Sequence, residues 1–189
     1  MFKKLVILSL ALFLVLPSSL TAKEVSGVDI PEAFKEGGQD LVLNGVGIRS
    51  KFFMDIYVGA LYLIEKSKDG NAVSNDDKVM NIRLHMVSGL ITNEKMTNAV
   101  NEGFEKSTKK NTAPVKAEIT QFTDVFKEKF AKGDYFDFSY VPGIGTKIYK
   151  NGTVKATIKG LEFKKALFGI WFCEDPADDD LKEEMLGDD

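Results

Sequence analysis

The hydrophobic period of this chain changes in its middle, and that change limits the fold more than any other feature. Across 79–87 Met80, Ile82, Leu84 and Met86 share one face, and Asn81, Arg83 and His85 share the other. This is the alternation of an extended strand with one buried face. From Thr92 the spacing becomes helical. Thr92 suits an N-cap and Glu94 the first turn, and Met96, Ala99, Val100 and Phe104 follow on one side. A second helix is expected after Thr112, with Pro114 in its first turn. Val115, Ile119, Phe122, Phe126 and Phe130 line one face of it, and Gly133 ends it. The two helices should form a pair lying across a sheet.

Strand signals stand on both sides of this helical block. Residues 24–31 read as one short strand, and 35–39 as a loop around Gly37-Gly38. A strand begins near Leu41 and continues to Arg49, with a tight reversal at Ser50-Lys51. The run from Phe52 to Ile64 is nearly all apolar, which suggests a strand covered on both faces. Residues 66–77 are polar, with a turn at Asp69-Gly70. After the helices, Phe136, Phe138 and Tyr140 alternate with Asp137 and Ser139, and Pro142-Gly143 turns the chain. Two strands then flank Asn151-Gly152, the strongest short hairpin signal. An amphipathic helix with Phe163, Ala166, Leu167, Ile170 and Trp171 follows Gly160 and is broken by Pro176. Asp178 or Asp179 can cap a last short helix through Leu181 and Met185, closed by Gly187. Strands segregated from helices argue for an α+β fold with an antiparallel sheet. The acidic stretch 174–180 reads as solvated surface.

The amino terminus stands apart. Lys3 and Lys4 precede an apolar run from Leu5 to Leu16, interrupted only by Ser9, and Leu20-Thr21-Ala22 follows Pro17. This is the pattern of a signal peptide, and the run is short of the ~20 apolar residues that span a bilayer. The expected organisation is therefore a signal peptide at 1–22 and one domain at 23–189. The protein would be periplasmic, with no stable membrane span after cleavage. Loss of Lys3 and Lys4 takes the formal charge from −3 to −5. An acidic balance argues against nucleic acid as a partner. One cysteine, Cys173, permits no intrachain disulfide in an oxidising compartment.

Few residues offer reactive chemistry. His85 is the single imidazole and lies on the polar face of its strand, so it reads as a surface or network histidine. No Cys/His cluster exists to hold zinc, and no cofactor is expected. Gly45-Val46-Gly47 lacks the third glycine and the following helix of a dinucleotide fingerprint. Arg49 stands out in an apolar strand context, since a guanidinium is always charged and is seldom buried unpaired. It either faces water at a hairpin end or binds a carboxylate or enolate at the mouth of an apolar cleft, where Tyr57 could add a hydroxyl.

The stretch Gly45-Val-Gly-Ile-Arg-Ser-Lys-Phe-Phe, with Ile56-Tyr-Val-Gly-Ala-Leu-Tyr-Leu63, resembles the chalcone isomerase superfamily. The resemblance is to its bacterial, exported chalcone isomerase-like branch. The carboxy-terminal pattern, Phe163 to Trp171, then Pro176, Asp180-Leu181-Lys182 and Leu186-Gly187, extends it over the mature chain. The resemblance implies an open-faced β-sandwich: a large antiparallel sheet covered on one face by helices, with a ligand cleft between them. Plant members divide into isomerases and non-catalytic fatty-acid-binding proteins. Arg49 matches the arginine near the ligand's acidic end, and Tyr57 matches the tyrosine of the fatty-acid-binding group. The isomerases' Thr-Ala-Ile-Gly is replaced here by Ile56-Tyr57-Val58-Gly59. The expected function is therefore non-catalytic binding of a fatty acid or similar amphipathic carboxylate. The alternatives are a chalcone isomerase-type intramolecular lyase and an envelope interaction scaffold.

Overall fold

The computed structural model describes residues 22–188, so the signal-peptide expectation falls almost entirely outside the described residues. The chain opens with a hairpin of β1 (Ala22–Val25) and β2 (Val28–Pro31), then β3 (Ala33–Glu36), β4 (Gln39–Lys51) and β5 (Met54–Leu63). A short helix α1 (Gly70–Asn75) leads to β6 (Met80–Met86). The helix pair α2 (Asn93–Ser107) and α3 (Lys116–Val125) comes next, then β7 (Tyr135–Val141), β8 (Gly145–Lys150) and β9 (Thr153–Ile158). Helices α4 (Leu161–Phe172) and α5 (Asp179–Met185) complete the chain. Strands β3 to β9 form one antiparallel sheet in sequential order.

The sheet is curled. Glu36 on edge strand β3 accepts bonds from Lys147 Nζ (2.9 Å) and Tyr149 Oη (3.0 Å) on β8, five strands away in sheet order. The Arg83 guanidinium on β6 lies 4.6 Å from the Tyr135 ring centre and 5.5 Å from that of Phe34 on β3. It makes two 2.8 Å bonds to Asp137, which also accepts from Asn81. Every charge in this buried group has a partner, the condition under which buried ions persist.

The other face carries the main core. Leu61, Ile82, Leu84, Phe136, Phe138 and Ile148 from the sheet meet Phe104, Phe122, Phe163, Phe168 and Trp171 from the helices. The ring pairs Phe122–Phe138 (5.2 Å) and Phe138–Trp171 (5.9 Å) join sheet to helix. Helix α4 is buried along most of its length, including Lys164. Lys164 Nζ donates to the carbonyl oxygens of Val73 (2.7 Å), Ser74 (3.0 Å) and Asp76 (2.9 Å), tying α4 to the end of α1.

Local departures from the sequence reading have identifiable causes. The single strand expected over 24–31 is a hairpin, because Ser26 and Gly27 adopt φ of 51° and 74°. The expected loop at 35–39 is a two-residue turn at Gly37-Gly38. The reversal expected at Ser50-Lys51 falls at Phe52-Phe53, since Lys51 pairs with Met54. The Asp69-Gly70 turn is the start of α1, with Asp69 capping the amides of Asn71 and Ala72. The helix expected through Phe130 stops at Val125, although Phe126 and Phe130 stay buried. The polar face of β6 is covered too: Asn81 is fully buried and His85 half-buried.

Candidate functional site

Arg49 and Tyr57 stand directly opposite each other in the β4–β5 register, and both face the helix side. Their separation in sequence is closed by the hairpin at Phe52-Phe53. Arg49 Nη1 is bonded to Asp178 Oδ2, an ion pair whose two side chains are largely buried. Tyr57 is buried and its hydroxyl oxygen accepts from Trp171 Nε1 (3.0 Å). Among the described residues no acceptor takes the Tyr57 hydroxyl proton. Burial pushes the Tyr57 pKa up, opposed by the Trp171 bond and by the Arg49 charge. The tyrosine is therefore a neutral donor at any ordinary pH.

Asp178 does two things. Its Oδ1 caps α5 by accepting from the Leu181 amide (2.9 Å), while Oδ2 meets Arg49. The acidic stretch 174–180 is thus not uniformly solvated surface: Asp178 is drawn inward by charge and by capping.

Helix α5 is seated on three glycines of β4 and β5, Gly45, Gly47 and Gly59. A Cβ at Gly45 would lie 2.6 Å from the Met185 carbonyl oxygen, and closer to that of Glu184. One at Gly47 would meet the Glu184 side chain, and one at Gly59 would touch Leu181 and Met185 at 3.2 Å. Gly47 and Gly59 pair across β4 and β5. The Gly-x-Gly spacing on a strand puts both glycines on one face, which lets the helix backbone approach the sheet. Asn44, at a bulge in β4, donates to the Met185 and Ser67 carbonyls (both 2.9 Å). The Ile48 amide donates to Glu184 (3.0 Å). Two elements distant in sequence thus hold Arg49 and Asp178 together.

The remaining candidates lie elsewhere. His85 is on the opposite face of the sheet, ring-stacked on Tyr135 at 6.2 Å. Desolvation, and then the Arg83 charge, lower its pKa. Cys173 is half-buried, with Sγ 3.1 Å from the Asp175 carbonyl. No group of His, Cys, Asp and Glu able to hold a metal occurs among the described residues. Two open grooves of about 590 and 780 Å³ lie along α1, α2 and the end of α4, and neither reaches Arg49 or Tyr57. The space between sheet and helices beside Tyr57 is packed with side chains, including Met86, its cross-strand partner, and Met185, which lies with the Tyr57 ring over Gly59. No helix among the described residues is long and apolar enough to cross a membrane.

A model of the family described as chalcone isomerase-like matches residues 22–187. Among solved structures, the fold is similar to that of a fatty-acid binding protein of Arabidopsis thaliana, with a TM-score of 0.69 and 19% sequence identity over 85% of this chain and 92% of that one. No curated protein matches the sequence.

Proposed function

Because the chain belongs to the chalcone isomerase-like family, we propose that it is a non-catalytic member binding a fatty acid or similar amphipathic carboxylate, with the head group at Arg49 and Tyr57. One observation carries this reading: Arg49 and Tyr57 sit together beside an apolar core, and a carboxylate is already bonded to Arg49. That carboxylate is the chain's own Asp178. This pair supports Arg49 as the carboxylate partner, and a ligand's acid would take the place of Asp178. The unclaimed Tyr57 hydroxyl proton supplies a second donor. The fatty-acid binding protein of similar fold supports the same class of ligand.

The tail would enter the core beneath the helices. There Met86 and Met185 can re-pack around it, since unbranched thioether side chains adapt at low cost. Burial contributes about 0.8 kcal/mol per methylene. The non-catalytic reading is supported by Ile56-Tyr57-Val58-Gly59, which stands where the isomerases carry Thr-Ala-Ile-Gly. The proposed location is the periplasm, on the strength of the charged and apolar segment that precedes Ala22.

A charge-assisted pair of this kind contributes roughly 1.5–3 kcal/mol. Arg49→Ala should therefore weaken a long-chain fatty acid by about one to two decades in calorimetric titration. Arg49→Lys should lose part of this, because an ammonium lacks the planar fork. Tyr57→Phe should lose less, roughly 0.5–1.5 kcal/mol, for one hydroxyl bond. Equal affinities for the wild type and Arg49→Ala would remove Arg49 from the site. Location is checked separately: the protein that accumulates should begin at or near Lys23, and an intact Met1 on membrane-held protein would contradict export.

A further inference from the structure

Among the described residues the chain makes the same two-residue turn in four hairpins; three, Ser26-Gly27, Gly37-Gly38 and Asn151-Gly152, end in glycine, and the fourth has opposite chemistry. Between β8 and β9 the two-residue loop is Asn151-Gly152, with φ of 50° and 76°. Between β4 and β5 it is Phe52-Phe53, with φ of 52° and 61°. Left-handed backbone at both central positions is what favours Asn and Gly there, and bulky residues adopt it against steric strain. Phe52 is 79% exposed and Phe53 wholly exposed. Phe52 keeps one ring contact, with Lys51 Nζ 5.8 Å from its centre, and that is a small return for two aromatic rings in water on a strained turn. The feature calls for something outside the chain to cover it.

The surroundings say what kind of surface that is. The pairs Tyr57–Met86 and His85–Tyr135 place the β4–β5 tip, the loop after β6 and the loop before β7 at one end of the sheet. The Val87 amide bonds to Ile56, and that of Gly133 bonds to Met86, which fixes this alignment. Met54 and Leu90 are also exposed at this end, 42% and 60%. Lys51, Lys95, Lys129 and Lys132 flank them, exposed and without a carboxylate partner among the described residues. The local acids Asp55, Asp124, Glu128 and Asp134 are bonded to serine, lysine or asparagine, and Glu94 is left facing solvent. Lys51 Nζ lies over the Phe52 ring and Lys95 Nζ donates to the Leu90 carbonyl (3.5 Å), so this acidic protein has gathered lysines unpaired with acids around a protruding apolar tip.

We propose that this end docks the protein onto an anionic lipid bilayer, with Phe52 and Phe53 inserted at the headgroup–acyl boundary and the lysines over acidic headgroups. A protein partner would need a pocket shaped to the wedge, whereas a bilayer accepts it without complementarity. Aromatic rings favour that interface, and lysines near it are drawn to anionic lipid. The inference does not depend on the ligand assigned to Arg49.

The test uses Phe53→Trp, expressed from the full sequence and purified in the form that accumulates. The wild type is measured in parallel for the contribution of Trp171, which is buried. With phosphatidylglycerol/phosphatidylethanolamine vesicles the added tryptophan should shift its emission to the blue and be quenched by brominated acyl chains. With phosphatidylcholine vesicles the effect should be several-fold weaker. Adding Lys129→Glu and Lys132→Glu should remove most of the anionic response. Phe52→Asn with Phe53→Gly should melt at or above the wild-type temperature, since the turn strain is relieved. Emission unchanged by vesicles would overturn the proposal, as would a much lower melting temperature for the Asn-Gly variant. A dimer in sedimentation that the Asn-Gly variant abolishes, without any vesicle response, would assign the tip to a second copy and overturn it too.

Discussion

Replacing Lys164 with methionine is expected to destabilise the fold by about 3 kcal/mol, a fall in melting temperature of roughly 6–12 °C for a chain of this size. The substitution keeps the length of the side chain and removes its three donors. The carbonyls of Val73, Ser74 and Asp76 would then be left without their donor at the end of α1, the first two of them in buried bonds. Unsatisfied buried acceptors cost about 1–3 kcal/mol each, partly offset because the methionine needs no desolvation. The pH dependence provides a second signature. Burial pushes the Lys164 pKa down to about 7 from 10.5, against the pull of Asp76 and Asp77. Between those values the unfolded chain holds the proton that the folded chain has released, so wild-type stability should rise with pH across that window. Below it both states are protonated and the penalty is constant. Urea unfolding at pH 7 and 9.5 checks both effects: Lys164→Met should be weaker at pH 7 and lack this component of the rise. A variant as stable as the wild type would mean that α1 is not held by Lys164.

Gly45→Ala should cost about 2–4 kcal/mol, more than most single methyl additions, because the new atom meets main chain and not a flexible side chain. The Glu184 and Met185 carbonyls would have to retreat, and α5 with them. That motion would loosen the Asp178–Arg49 pair at the other end of the helix. Gly89→Ala is the matched control, since nothing lies within 4 Å of a Cβ there. Thermal melting of the two variants should separate them clearly, and a Gly45→Ala protein that melts with the control would show that α5 is not seated on this strand.

The layered α+β order was legible because periodicity is a local property. Asn151-Gly152 marked its hairpin without help, and the alternation in 79–87 marked β6. What escaped was information that sequence neighbours do not carry. The Phe52-Phe53 turn contains no turn residue, so the reversal was placed two residues early, on the polar Ser50-Lys51. Helix α1 is six residues long and has too few apolar positions to show a period. Arg49 and Tyr57 could be singled out by residue type and by resemblance, and the register explains why they meet. Asp178 could be read from the sequence as one of two candidate helix caps, and the structure chooses it over Asp179, but nothing local marked it as the partner of Arg49. Its role depends on a contact spanning 129 residues, between a helix cap and a strand. The spacing of Gly45, Gly47 and Gly59 did carry a signal of close backbone approach, but only the structure shows that a helix is what approaches.

The most direct test of the proposed carboxylate site is the substitution that should tighten binding. Asparagine caps a helix about as well as aspartate, so Asp178→Asn should keep α5 in place while freeing the Arg49 guanidinium from its resident carboxylate. Titration of one long-chain fatty acid into the wild type, Asp178→Asn and Arg49→Ala should give affinities in the order Asp178→Asn, wild type, Arg49→Ala. The first step is expected to be about tenfold, the worth of one charge-assisted contact no longer displaced. If Asp178→Asn binds no more tightly than the wild type while its melting temperature falls with that of Arg49→Ala, the pair is a clamp for α5 and the carboxylate site is not there.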